Sequence, residues 1–417
     1  MSFVTVPSPV CFTVLVVDDP AVDGTQPNGS PVVDGARALL QLMRDGRPRT
    51  RSELATMTGL ARSTVTQRVD ALLASGLIGP AEKAASTGGR PPTLLAFNPA
   101  ARIVLGADIG ATHARLGVTD LAGRILADAR DDIDIAAGPD VVLGWICETG
   151  RALVDQAGYR MTDLLGVGVG LPGPVEHSTG RPVNPPIMPG WDGYDVQGYV
   201  TERLGVVTLV DNDVNVMALG EHFSHWSDAD HLLFVKVATG IGSGLISEGR
   251  LHRGAQGAAG DLGHIAVPHG REVVCRCGNT GCLEAVASGA AIAEALSAEG
   301  LEAHGSLDVV ALARGGSVEA LGRIRQAGRD IGEVLASAVN LFNPSIIVVG
   351  GSLSQAGEHL IAGVREVVYQ RSLPLATAHL RIAQSRTGES AGVVGAAVMV
   401  IDRVLAPVPE QAITVGS

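Results

Sequence analysis

Three cysteines crowd into the stretch Cys275–Cys282, and a histidine, His264, lies shortly upstream. One imidazole and three thiolates make a complete ligand set for a closed tetrahedral zinc site. A site with no open coordination position is structural, not catalytic. A single residue separates Cys275 from Cys277. Cys282 follows a turn holding Gly278 and Gly281, which lets the backbone fold back so that the third sulfur reaches the ion. Structural zinc contributes on the order of 10 kcal/mol to a local fold. Here it would pin a loop whose ends carry Asp261, His264 and Glu284, all able to hydrogen-bond a polyol. The alternative is three buried free thiols and a surface histidine, and thiols this closely clustered argue against it. His269 is a competing imidazole.

The rest of the chain must accommodate that loop. With 417 residues it is expected to form two or three domains. Its cores are built from Val, Leu, Ile and Ala, since 46% of residues are apolar but only 3% aromatic. The net charge of −12 excludes a general nucleic-acid binder, yet it is unevenly spread. Residues 34–102 hold ten basic and five acidic side chains, a net of +5, so the remainder carries −17. A basic module is joined to an acidic body. Clustered thiols in a chain with five cysteines point to a reducing compartment and a metal, not a disulfide framework. The start lacks a basic region, and Asp18 and Asp19 interrupt its short apolar run, so no secretory leader is expected. No apolar run is long enough to span a bilayer, and the expected location is the cytoplasm, away from membranes.

Residues 1–33 show no sustained period and read as a mobile tail, with a short strand at Cys11–Val17 as the lesser alternative. A first domain is expected over residues 34–99. Ala36, Leu39, Leu40 and Met43 recur at helical spacing, and Gly46 and Pro48 end that helix. Thr50-Arg51-Ser52-Glu53 is a capping box that opens a second helix, which Gly59 breaks. A third helix places Val65, Val69, Leu72 and Leu73 on one face and Ser63, Thr64, Gln67 and Arg68 away from it. This is the helix-turn-helix pattern. The polar face, with Arg62 at its start, suits phosphates and base edges, whereas a plain three-helix bundle would leave it merely solvated. Leu77-Ile78 and Thr93–Phe97 then flank a basic, Gly-rich span, which completes a winged helix-turn-helix. Arg90 in that span is placed to enter a minor groove or touch the backbone.

Residues 100–405 change to an α/β pattern, with residues 406–417 as a second tail. Ile103–Ala107 and Arg115–Thr119 are strands around the turn Asp108-Ile109-Gly110-Ala111-Thr112, where small residues let amides approach phosphate and an acid can hold hydrated Mg²⁺. Leu164–Leu171 and Val206–Val210 are further strands. Asp213 follows the second of these, where ligands bind in α/β folds, although an ordinary helix N-cap is a serious competitor for that residue. Leu232–Val237 leads into a second Gly-rich turn, Ala238-Thr239-Gly240-Ile241-Gly242, so a duplicated phosphate-clamping fold is expected. Ile346–Val349 runs into Gly350-Gly351, a third such turn.

Taken together, these residues resemble the ROK family of sugar-responsive repressors and sugar kinases, over roughly residues 34–405. The most specific part is Gly-His264 followed by Cys275-x-Cys277-Gly-x-x-Gly-Cys282-Leu-Glu284, which matches the family's zinc signature. The resemblance implies a two-lobed actin/hexokinase-like (RNase H-like) α/β body behind the mainly helical DNA-binding module. It implies a first phosphate turn at Asp108, Gly110 and Thr112, and a second at Thr239, Gly240 and Gly242. Gly350 and Gly351 would lie by the adenine ribose of ATP. Asn184, Asn212, Asp213, His264 and Glu284 match the sugar contacts, and Asp213 falls where the kinases place their general base. Asp261 stands where the family usually has Glu, which retracts the carboxylate by about 1.5 Å, one methylene.

The function expected is a sugar-responsive transcriptional regulator, a repressor, acting as a homodimer or homotetramer on a palindromic operator. The alternative is an ATP- and Mg²⁺-dependent sugar kinase, of glucokinase or N-acetylhexosamine kinase type, that retains a DNA-binding module.

Overall fold

The computed structural model describes residues 31–81 and 93–406. The strand considered at Cys11–Val17 and the wing residue Arg90 lie outside the described residues, as does the side chain of His269. Two compact units divide the chain: residues up to Ala101 together with those from Val404 onward, and Arg102–Arg403.

The first unit holds helices α1 (Pro31–Met43), α2 (Arg51–Thr58) and α3 (Arg62–Ala74), then strands β1 (Ile78–Pro80) and β2 (Leu95–Phe97). α1 begins at Pro31, inside the segment expected to be tail; proline at a first helical position gives up no hydrogen bond. The capping box forms as the sequence requires. The Glu53 amide donates to Thr50 Oγ1 at 3.2 Å, and the Thr50 amide donates to the Glu53 carboxylate at 2.6 Å. Gly59 takes φ 67°, the left-handed conformation that ends α2 and turns the chain into α3. Ala36, Leu39, Leu40 and Met43 meet Leu54, Val65, Val69 and Leu72 in a closed core. Each buried leucine there is worth about 2 kcal/mol. β1 and β2 pair antiparallel, Ile78 opposite Phe97. The last described residues also reach this unit, since Gln41 Nε2 donates to the Leu405 carbonyl at 2.7 Å and Arg37 to that of Ala406 at 3.4 Å; the tail expected at 406–417 otherwise lies outside the described residues.

In the second unit, strands β3 (Ile103–Ile109), β4 (Ala114–Asp120) and β5 (Ile125–Asp131) form a meander. Helix α4 (Pro139–Gln156) leads to β6 (Leu164–Leu171) and the short ribbon β7 (Val175–Glu176) and β8 (Arg181–Pro182). Helix α5 (Val196–Leu204), β9 (Val207–Asn212) and α6 (Asp213–His225) close the first half. The second half begins with the meander β10 (Leu232–Val237), β11 (Ile241–Ser247) and β12 (Arg250–His252). Helices α7 (Leu283–Ala287), α8 (Gly289–Ala298), α9 (Ser306–Arg314) and α10 (Val318–Phe342) follow. Then come β13 (Ile346–Gly350), α11 (Glu358–Arg371), α12 (Pro374–Thr377), β14 (Arg381–Gln384) and α13 (Ala391–Leu405).

The two halves repeat one topology. The first sheet runs β5-β4-β3-β6-β9 and the second β12-β11-β10-β13-β14. In each, an antiparallel meander of three strands is extended by two parallel strands. The duplication expected from the two Gly-rich turns is therefore a duplication of whole sheets.

Helices α6 and α13 join the halves. Val216 packs with Ala396 and Met399, while Val214, Met217 and Ala391 pack with Phe234 and Val348 of the second sheet. The approach is backbone to backbone: a Cβ at Gly106 of β3 would overlap the Val393 carbonyl, and one at Gly168 of β6 would overlap that of Ala396. Gly395 meets α6 the same way, its absent side chain replaced by the Val216 carbonyl. Among the described residues no helix is long and apolar enough to cross a membrane.

Candidate functional site

Asp108 is the penultimate residue of β3, not part of the turn that follows. Strand pairing sets it opposite Arg115 on one side and Gly170 on the other, and it is buried. Burial pushes its carboxyl up to about 6, with Asp213 adding to the rise and Lys236 and Arg115 opposing it. The turn itself is Gly110 to His113. The Gly110 amide, expected to face phosphate, donates instead to the His113 carbonyl at 2.8 Å. The His113 ring lies over Gly110, where a Cβ would collide with it. Thr112 is exposed at the tip.

Asn212 and Asp213 exchange the roles considered for them. Asn212 is the N-cap of α6: its Oδ1 accepts from the Val214 amide at 2.9 Å, and its Nδ2 donates to the Gly173 carbonyl at 3.0 Å. One donor and one acceptor of its amide are thus used in positioning, which leaves one of each. Asp213, freed from capping, is the first residue of α6 and buried. Its Oδ1 accepts from the Val214 amide at 2.8 Å, and its Oδ2 accepts from Lys236 Nζ at 2.5 Å. Lys236 lies in an apolar strand, and nothing in the sequence pattern marked it. Burial opposes its charge, but Asp213 and Asp108 more than offset this and hold the ammonium above the usual lysine range.

A second pair missed in the sequence lies alongside. Arg253 Nε donates to Asp211 Oδ2 at 2.6 Å, and Asn215 Nδ2 donates to Asp211 Oδ1 at 2.8 Å. Asp211 is the penultimate residue of β9, so this pair ties the first sheet to the loop after β12.

The second Gly-rich turn is packed between these residues and the cysteine-bearing segment. A Cβ at Gly242 would press on Val214, and one at Gly240 would overlap Glu284 Oε2. That same oxygen accepts from the Ile241 amide at 2.9 Å. Ser243 Oγ donates to the Gly260 carbonyl at 2.5 Å. Asp261 and His264 bracket a single turn at Leu262–His264 beside this strand, and the exposed Asp261 carboxylate caps nothing. Asn184 is exposed at φ 43°, in the loop whose Pro185 rests on Gly173, the residue Asn212 holds. Gly351, at φ 83°, backs onto the end of β10 at Val237, which brings Gly350-Gly351 beside the second turn. Asn184, Asp213, Asp261, His264 and Glu284 thus border one region shared by both halves. Thr112, Thr239 and Gly351 are carried on the strand-end turns of the same body.

His264, Cys275, Cys277 and Cys282 bring their ligand atoms within 4.8 Å of one another. Cys277 Sγ lies 3.7 Å from Cys282 Sγ, and Cys275 Sγ lies 3.7 Å from His264 Nδ1. The edge of a tetrahedron of thiolates at about 2.3 Å from zinc is about 3.8 Å, so the donor set fits a metal ion. The Asn279 amide holds the Cys277 thiol down at about 7, within reach of the thiolate form a metal requires. Nδ1 faces the sulfurs, which leaves Nε2 of His264 for a second partner. Cys282 is the residue that precedes α7, so the cluster also fixes Glu284 in the first turn of that helix.

In the first unit, α3 presents Arg62, Ser63 and Gln67 fully to solvent, whereas Thr64 and Arg68 are half-buried. Arg68 Nη1 is enclosed with no hydrogen-bond partner among the described residues, so Arg68 does not stand free on the polar face as expected. The N-cap position, Ala61, supplies no side-chain bond, and the first turn has no acidic residue. The first-turn amides thus have no side-chain cap, and the positive end of the helix carries no neutralising acid, which suits a phosphate.

The ROK family profile matches residues 104–403, and a profile described as winged helix-turn-helix DNA-binding matches residues 37–78. The chain belongs to the ROK family. A xylose repressor from Caldicellulosiruptor bescii is 28% identical over 388 residues, covering 90% of this chain and 96% of its own. The crystal structure of a ROK family transcriptional regulator, a homolog of E. coli MLC protein, superposes with a TM-score of 0.77 at 27% identity. It covers 90% of this chain and 96% of its own. A ROK family glucokinase from Streptomyces griseus, solved with glucose and AMPPNP, superposes with a TM-score of 0.61 at 29% identity. It covers 71% of this chain and 98% of its own. The regulators of this ROK family thus extend across both units, and the kinase is used up by one.

Proposed function

We propose that this ROK protein is a DNA-binding transcriptional regulator, a repressor of carbohydrate genes, that responds to a small sugar. The carrying observation is coverage: similarity to regulators runs over 90% of the chain, against 71% for the glucokinase. The exposed start of α3, with Arg62 and Ser63 in its first turn and Gln67 in its second, enters a major groove of operator DNA. Thr64, half-buried Arg68, and Arg90 in the wing support the backbone contacts. The sugar lies among Asn184, Asp213, Asp261, His264 Nε2 and Glu284, with Asn212 shaping the site from behind. Zinc, bound by His264, Cys275, Cys277 and Cys282, is structural and holds the sugar-facing edge of His264 and Glu284 in place. The body acts as a homodimer or homotetramer in the cytoplasm, which matches two reading helices to a palindrome. Any ATP would set its phosphates at the turns around Gly110, Thr112, Thr239, Gly240 and Gly242 and its ribose by Gly350-Gly351, with Asp108 nearest to Mg²⁺.

A sugar relieves repression only by binding the released state more tightly than the DNA-bound one. A mobility-shift assay with the region upstream of the chain's own gene, run with a panel of monosaccharides, tests the whole reading. Wild-type protein is expected to shift that region, one sugar to release it, and Arg62→Ala with Gln67→Ala to abolish the shift. A double variant that binds as tightly as wild type would refute the assignment of α3; a complex indifferent to every sugar would refute the receptor role.

A further inference from the structure

Lys236 places a cation in the interior of an apolar strand. Its sequence neighbours Val235 and Val237 are fully buried, and its register partners are Gly242 on β11 and Gly350 on β13. With glycine on either flank, the long side chain has no neighbouring Cβ to displace, and its ammonium reaches Asp213 Oδ2 at 2.5 Å. The two side chains are 18% and 6% exposed. The other oxygen, Oδ1, accepts from the Val214 amide at 2.8 Å. Both carboxylate oxygens are engaged before any ligand arrives. Asp108 acts on the same ammonium as a second negative group.

We propose that Lys236 is an internal lock: its ammonium occupies the Asp213 carboxylate, so the body receives a sugar hydroxyl without passing it a phosphoryl group. This rests on the reading of the body as a sugar receptor. Transfer would require Asp213 to take the hydroxyl proton while the hydroxyl oxygen bonds to the γ-phosphorus of ATP. The bond from that phosphorus to the β,γ-bridging oxygen would break, ADP would leave with the electron pair, and the proton would pass from Asp213 to water. The first step needs an Asp213 oxygen that can close on the hydroxyl proton without a competing cation, and the second needs a divalent cation near the two acids. With Lys236 on Oδ2 and the Val214 amide on Oδ1, the hydroxyl shares the carboxylate with an ammonium, and the ammonium's charge beside Asp108 and Asp213 repels Mg²⁺. The first turn is filled by its own chain as well, with the Gly110 amide closed onto the His113 carbonyl and the His113 ring above it.

The test uses the full chain with MgATP and D-glucose, D-xylose or N-acetyl-D-glucosamine. Sugar binding is read by calorimetry, and ADP and phosphosugar by coupled assay and mass spectrometry. Wild type is expected to bind one of these sugars and to release no more ADP than Asp213→Asn. Lys236→Thr and Lys236→Met are expected to release at least about 100-fold more, the low end of what a positioned base contributes. Adding Asp213→Asn to either should remove the gain. A lysine that served only the fold could not yield turnover when removed. Asp213-dependent turnover by wild type overturns the lock. So do folded Lys236 variants, verified by circular dichroism, that bind sugar yet stay as inactive as wild type. If both variants misfold, the wild-type arm decides alone. Absence of sugar binding in every arm overturns the receptor reading itself, and the lock with it.

Discussion

Asp108 shows how one side chain can be costly where the fold needs it. Its carboxyl titrates at about 6, raised from 3.8 by burial. A group whose folded value lies above its unfolded value adds stability below the unfolded value and loses it as pH rises through the folded one. Relative to pH 3.5, the charged form therefore costs on the order of 3 kcal/mol by pH 8. Asp108→Asn should raise the melting temperature at pH 8 and leave it nearly unchanged at pH 4; thermal scans across that range check this, and an equal shift at both ends would contradict it. The sequence assigns Asp108 to a turn, because the register that places it in β3 and buries it depends on β4 and β6. His264 and the cysteines are legible because their ligand set lies within one short segment. Lys236 and Arg253 are not, because their partners Asp213 and Asp211 lie in the other half and only the packing of α6 on the second sheet brings them close. The cap of α6 is not legible either: either of two adjacent polar residues can cap a helix, and only the backbone decides that Asn212 does.

At the level of elements, the segment from Asp261 to Glu284 contains little regular structure. Its strand-like pairing is limited to isolated bridges, Ala266 with Cys282 and Val274 with Thr280, joined by turn bonds such as that from the Val267 amide to the Gly281 carbonyl. Such short-range bonds leave the side-chain cluster as the one long-lived tie proposed for the loop. Removing the metal with a chelator, or replacing Cys277 with Ser, should open it to trypsin at Arg271 and Arg276, followed by mass spectrometry of the fragments. Digestion at the pace of untreated protein would rule out a metal-held loop. Helix α13 makes the opposite case, since its packing is entirely regular. Gly395→Ala would force a methyl group into the Val216 carbonyl and so prise α13 from α6. Overpacking of this kind costs about 3 kcal/mol, which should lower the melting temperature by at least about 5 °C. A variant melting with wild type would mean that α6 shifts freely. The apolar patterns identified α10, α13 and most central strands. The shorter helices α7–α9 are not legible, because they are short and fold on the second sheet, although Ser288 caps α8 and Asp308 accepts from the Gly305 amide at the start of α9.

Taken whole, the molecule is a mainly helical reading unit and a body made of two sheets of one design. Duplicated halves commonly unfold in turn. Each half has a core of its own, but α6 and α13 add apolar residues that pack on both sheets at once, so opening one half strips packing from the other. Calorimetry of the body should give a single transition, with van't Hoff and calorimetric enthalpies in agreement; two resolved transitions for residues 102–403 would show that the halves are independent. The glycines beneath α13 carry this further. Where carbonyl oxygens rest directly on Cα hydrogens, no layer of side chains remains to yield or be refilled. A library randomised at positions 106, 168 and 395 and sorted for folded protein should return glycine almost alone, while the leucines and valines around them interchange. The most permissive residue in the chemical alphabet becomes, in this spine, the least replaceable one.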